Sequence, residues 1–61
     1  MIMCEHCREA ISSRGEKFSR QTLNETQLEN ARIDQDGCQW LICEWCKEED
    51  TVESMEEVEF I

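Results

Sequence analysis

The chain lacks proline altogether, contains only two glycines and carries six bases against fifteen acids. It has no internal repeat and no low-complexity tract. Its longest apolar run, Trp40-Leu41-Ile42-Cys43, is four residues long, far short of the roughly 18 needed for a membrane-spanning helix. Glu5, Arg8 and Glu9 interrupt the first residues before an apolar h-region can form, so no secretory signal is expected and a cytoplasmic location is. A net charge of -9 argues against a phosphate-clamping nucleic-acid binder, because the electrostatic term has the wrong sign. With 61 residues there is no space for the repeated βαβ units of a dinucleotide-binding domain.

What the chain does have is cysteine. Five occur, at Cys4, Cys7, Cys38, Cys43 and Cys46. A domain this short rarely supports itself on an apolar core and usually needs a metal, disulfides or a partner chain. Cys4-Glu5-His6-Cys7 and Cys43-Glu44-Trp45-Cys46 are both C-x2-C pairs. That spacing lets one short piece of backbone aim two thiolates at one ion, and two such pieces complete a tetrahedral four-sulfur shell. Zinc suits such a shell best, with iron the alternative. An odd count without a signal sequence argues against a disulfide framework, and a redox C-x2-C lacks the thioredoxin-like setting it needs. The expected ligands are therefore Cys4, Cys7, Cys43 and Cys46, holding one Zn2+ per chain. Cys38 is read as a small buried residue, with replacement of Cys43 or an intermolecular contact as alternatives. His6, between two ligands, is expected to face outward. Arg8 and Lys47 each follow a ligand cysteine, where a cation steadies an anionic cluster or is simply solvated.

Along the chain, Ser12-Ser13-Arg14-Gly15 reads as a turn after Ala10-Ile11. Asp36-Gly37 reads as a hairpin turn between Ala31-Arg32-Ile33 and a strand over Cys38–Ile42. Lys17–Leu23 is a weaker strand, with Phe18, Arg20 and Thr22 on one face. Asn24 and Gln27 resemble a capping box, but residues 24–32 remain open between a helix, a loop and a strand. After the second pair, Trp45, Val52 and Met55 form a narrow helical stripe. Glu48, Glu49 and Asp50 suit a helix start. Val58 and Phe60 alternate with acids as a short strand would. Trp45, Val52, Met55, Val58 and Phe60 are expected to close the core.

The stretch Cys4-x2-Cys7-x3-Ile11-x3-Gly15-Glu16-x-Phe18, with Trp40-x2-Cys43-x2-Cys46 downstream, resembles treble-clef zinc fingers such as the LIM and PARP-type fingers. The resemblance implies a small α+β zinc-stabilised domain over residues 1–61. A zinc knuckle would lead into β-hairpins, and a C-terminal helix would carry the second cysteine pair. Ile11, Phe18 and Trp40 would form a small core beside the metal. A small acidic chain with a structural four-sulfur site is also similar in style to phage- or prophage-encoded accessory proteins.

Charge is unevenly spread. Residues 44–61 hold eight of the fifteen acids and one base, Lys47, so residues 47–61 form an acidic C-terminal segment. Arg8, Arg14, Lys17 and Arg20 gather in the N-terminal part. A closed four-sulfur shell leaves no open position for metal-assisted hydrolysis, and no serine has a recognisable base partner. The expectation is a non-enzymatic zinc-binding protein, a protein-interaction module whose acidic surface docks a basic partner. One alternative is a nucleic-acid-binding finger using Arg8, Arg14, Lys17 and Arg20. The other is a thiol redox or metal-handling protein. The chain is expected to be a monomer or a weak homodimer through Val58, Phe60 and Ile61.

Overall fold

Residues 5–13 form a helix because their burial pattern suits one. Cys7, Arg8 and Ile11 are its buried residues, a single stripe at helical spacing. Glu5 sits in the first turn, where a carboxylate favours the positive end of the helix dipole. Gly15 stops the helix at φ +87°. Its N–H bonds the Ser12 carbonyl and the next residue, Glu16, reaches back to the Ile11 carbonyl, a Schellman arrangement that glycine favours.

The computed structural model describes residues 1–61. Their order is β1 (Ile2–Cys4), α1 (Glu5–Ser13), β2 (Phe18–Gln21), α2 (Glu25–Glu29), β3 (Arg32–Ile33), β4 (Gln39–Ile42), β5 (Glu49–Thr51), a 3-10 turn at Val52–Ser54 and β6 (Met55–Phe60). Two antiparallel three-stranded sheets result, ordered β1-β6-β2 and β3-β4-β5. In the first, β6 is central. Met3 pairs with Glu56, Arg20 with Val58 and Phe18 with Phe60, so these six side chains share one face. Glu57 points to the other face by the same alternation and accepts a bond from Gln27 of α2 at 2.8 Å.

Two local signals in the sequence are realised. Asn24 caps α2, accepting from the Gln27 N–H at 2.8 Å, while the Gln27 side chain returns the bond at 2.9 Å. Gly37 adopts φ +85° in the turn that joins β3 to β4. Asp34 organises that turn by accepting from the Asp36 and Cys38 N–H groups and, with its second oxygen, from the Trp40 indole. These donors, the indole first, hold its carboxyl below the usual range against a small desolvation effect.

The core is small. Nine of 61 residues are buried, and three of the eight apolar ones are Cys4, Cys7 and Cys43. Met3, Ile11, Leu23, Met55 and Val58 complete it. A cluster of this size rarely orders a chain alone.

The fold corrects several expectations. Residues after the second cysteine pair are not a helix. They pair as β5 and β6, and the only helix at a cysteine pair is α1, at the first. Pairing of Glu49–Thr51 with β4 and of β6 with two neighbours supplies hydrogen bonds that a helix crowded with acids and β-branched residues would not match. The first knuckle likewise enters a helix rather than a hairpin, so Ser12 and Ser13 are helical. Cys38 is exposed, lifted into solvent by the turn at Gly37. Met55 and Val58 are core residues, but Trp45 and Phe60 are each 42% exposed. Ile11 is fully buried, whereas Phe18 and Trp40 are only partly so.

Candidate metal centre

Cys4 ends β1 and is the residue from which α1 departs; Cys7 lies in the first turn of that helix. Cys43 follows β4, and Cys46 lies in the tight connection to β5. The four sulfur atoms lie within 4.8 Å of one another. Cys7 and Cys43, 36 residues apart, bring their sulfurs to 3.7 Å. That is too far for a disulfide, and matches the edge of about 3.8 Å expected for four sulfurs at 2.3 Å from one zinc. All four sequence-predicted ligands are therefore brought together, and Cys38 is not among them.

The second pair is shaped by the backbone. The Lys47 N–H bonds the Cys43 carbonyl at 2.8 Å, and the Cys43 N–H bonds the Glu48 carbonyl at 2.8 Å. Closing so tight a turn places Lys47 at φ +66°, a region costly for a residue with a side chain. The turn is fixed to β1 from both directions. The Glu44 N–H donates to the Ile2 carbonyl at 2.9 Å, and the Glu44 carboxylate accepts from the Ile2 N–H.

Cys43 is the electrostatic centre of the cluster. Burial works against its thiolate, yet N–H groups of Cys46, Cys4 and Trp45 aimed at the sulfur outweigh it, lowering the thiol to about 6. The Cys4 N–H lies 3.4 Å from that sulfur. Cys7 behaves oppositely: burial first, then hydrogen bonds from the neighbouring cysteines, pushes its thiol up. Such a set, with N–H donors already in place, suits a divalent ion that neutralises it. Cys4, Cys7 and Cys43 are buried and Cys46 is exposed. Cys46 borders a cleft of about 230 Å³ that it shares with His6, Glu48, Glu49 and Asp50. His6 is exposed and outside the four-sulfur set.

Arg8, expected to steady the cysteine cluster or to be solvated, does neither, and its structural role was not read from the sequence. Its position four residues after Cys4 puts it on the cysteine side of α1, which is the only signal that could have found it. It is buried, donates to the Met3 carbonyl at 2.6 Å and the Ser54 carbonyl at 2.8 Å, and lies 3.2 Å from Glu56. Arg20 reaches the same Glu56 oxygen at 2.6 Å. The bond from Arg20, then the charges of Arg8 and Arg20, hold Glu56 below the normal carboxylate range. With Arg14 paired to Glu16 as well, Arg8, Arg14 and Arg20 are each held by a carboxylate, and of the four basic residues Lys17 alone makes no ion pair.

No family model, curated protein or solved structure matches the chain. No helix is long and apolar enough to cross a membrane.

Proposed function

We propose that the chain is a non-enzymatic structural zinc protein, a small interaction module held in shape by one Zn2+ on Cys4, Cys7, Cys43 and Cys46. The observation that carries this reading is the double role of the cysteines. They form the four-sulfur cluster, and three of them are also core. When bound, zinc supplies charge neutralisation and a rigid tetrahedral link, and it leaves no open position for substrate. A reducing compartment such as the cytoplasm would keep these thiols available.

Every arginine is paired to a carboxylate, so the net charge of -9 rests on acids that remain free. Glu48 and Glu53 are exposed and make no ion pair. With Glu59, which is also exposed and unpaired, they are the residues of the acidic segment free to meet a basic protein surface. Glu49 and Glu56 are occupied by Arg32, Arg8 and Arg20.

Native mass spectrometry with circular dichroism, before and after chelation, tests the zinc reading. One zinc per chain and loss of structure on chelation are expected; a folded, metal-free chain would overturn it. Capture from lysate at rising salt tests the docking. A partner retained at low salt and lost in E48K/E53K is expected, and identical capture by both proteins would remove the acidic surface from the function.

A further inference from the structure

The hydrogen bonds of the first sheet show which of its edges is closed. The Val58 N–H reaches the Met1 carbonyl, so by alternation Glu57, Glu59 and Ile61 turn their backbone groups toward β2. The Ile61 N–H accordingly bonds the Lys17 carbonyl at 3.3 Å. In β2 the groups of Ser19 and Gln21 therefore face β6, and those of Phe18 and Arg20 face away from the sheet. At the opposite edge Glu44 takes both backbone groups of Ile2. Nothing does the same for β2. No strand lies outside it, and no turn or loop bonds the backbone of Phe18 or Arg20. With four residues β2 is also the longest edge strand, and it carries neither the proline nor the bulge that would blunt it.

An open edge accepts another strand, and the order of residues along β2 says which. Two copies run antiparallel about a two-fold axis at Ser19 place Phe18 of each opposite Arg20 of the other. Both outward residues of both copies then exchange N–H···O bonds, two pairs with two bonds each. Lys17 falls opposite Gln21 and Ser19 opposite Ser19, so no like charges are opposed. Centring the axis on Arg20 would oppose two guanidinium groups. Centring it on Phe18 would call on Glu16, whose N–H is already given to the Ile11 carbonyl. The acids of β6 would stand three strand spacings, about 14 Å, from those of the other copy, beyond the screening length of about 8 Å. An acidic strand from another protein has less to meet. Arg20 is held by Glu56 at 2.6 Å, and Glu57 and Glu59 lie beside Gln21 and Ser19 on the face that Lys17 shares.

We infer that the chain pairs with a second copy of itself through β2, antiparallel about Ser19, joining two three-stranded sheets into one. A seam this short makes a weak, reversible dimer. It uses neither the cysteines nor the free carboxylates proposed above to meet a basic partner.

Sedimentation equilibrium of the zinc-loaded protein, up to millimolar concentration and at low and high salt, tests the pairing. A reversible dimer that tightens with salt is expected, since each copy carries a net charge of -9. Amide exchange at Phe18 and Arg20 should slow as concentration rises, while that at Ser19 and Gln21 stays unchanged. A synthetic chain N-methylated at Arg20 and joined at the Gly37–Cys38 bond loses one outward donor per copy. It should associate at least about tenfold more weakly. Gln21 opposes Lys17, so Q21E should tighten the dimer and Q21K should weaken it, the reverse of what net charge alone would do. A monomer at every concentration, an N-methylated chain that associates like the parent, or tightening by Q21K would each overturn the proposal. Protection of Phe18 and Arg20 by an added acidic peptide, but not by concentration, would do so as well and assign the edge to another protein. Zinc stoichiometry and circular dichroism accompany each variant, so a failure of the zinc reading shows as missing metal and a failure of this one as a missing dimer.

Discussion

The two C-x2-C pairs share one spacing and have different backbones. Cys4 and Cys7 straddle the passage from β1 into α1. Cys43 and Cys46 sit in a tight turn that forces Lys47 to φ +66°. Burial divides them too, because both sulfurs of the first pair are inside while the second pair has one inside and one outside. Two intervening residues fix how far apart the sulfurs stand, and a helix start and a strained turn both meet that distance. The spacing therefore specifies the metal site without specifying the secondary structure around it.

The largest effect should come from removing the most central sulfur. Cys43 is fully buried, receives the Cys4 N–H and approaches Cys7. C43S should abolish cooperative folding, since structural zinc is worth on the order of 10–16 kcal/mol in small domains. C46S changes an exposed ligand that water can stand in for, so it should keep weaker zinc binding and a thermal transition. Equal loss of structure in both, seen by circular dichroism, would erase the distinction between inner and outer ligand.

Acid should act through the same sulfur. A thiol lowered from 9.0 to about 6 in the folded chain contributes stability that is present above its unfolded value and is lost as pH falls through the folded one. With a thiolate available at this sulfur down to about pH 6, protons should compete with zinc for it only near and below that value, so zinc occupancy and ellipticity should hold at neutral pH and fall below about pH 6. A flat profile down to pH 5 would show that the N–H donors around Cys43 do not control the site.

Arg8 comes next. R8M leaves the Met3 and Ser54 carbonyls without their donor and Glu56 with one partner fewer, and should cost about 3 kcal/mol, read by denaturant titration of the zinc-loaded protein. R20M, at the exposed end of the same triplet, should cost under about 1 kcal/mol. The smallest effect belongs to the strained turn. K47G relieves a positive φ and should stabilise the folded chain by about 0.5–1 kcal/mol despite the added freedom of the unfolded chain; a destabilised K47G would mean that the turn is not under strain.

The sequence made the sulfur set legible because ligand spacing is a local constraint that survives any choice of fold. Asn24 with Gln27, and Asp36 with Gly37, were legible for the same reason: cap and turn chemistry act within four residues. The position of the long helix was not. Trp45, Val52 and Met55 fit a helical stripe, but the residues between them gain more from pairing with β4, β1 and β2 than from hydrogen-bonding among themselves. In contrast, Cys7, Arg8 and Ile11 form the buried stripe of a helix where a knuckle, a hairpin and a turn were expected. The value of Arg8 lies in two carbonyls far along the chain, at Met3 and Ser54, which no window of sequence displays. Trp45 and Phe60 were expected in the core and are instead exposed, since a ring's burial depends on what packs over it.

The 36-residue separation of Cys7 from Cys43 means that an ion held by the four sulfurs would act as a cross-link as well as part of the core. Tying those positions together in a disordered chain removes about 3–4 kcal/mol worth of loop entropy, by analogy with a disulfide closing a loop of similar length. Both helices, β2, β3 and β4 lie wholly or largely within that loop.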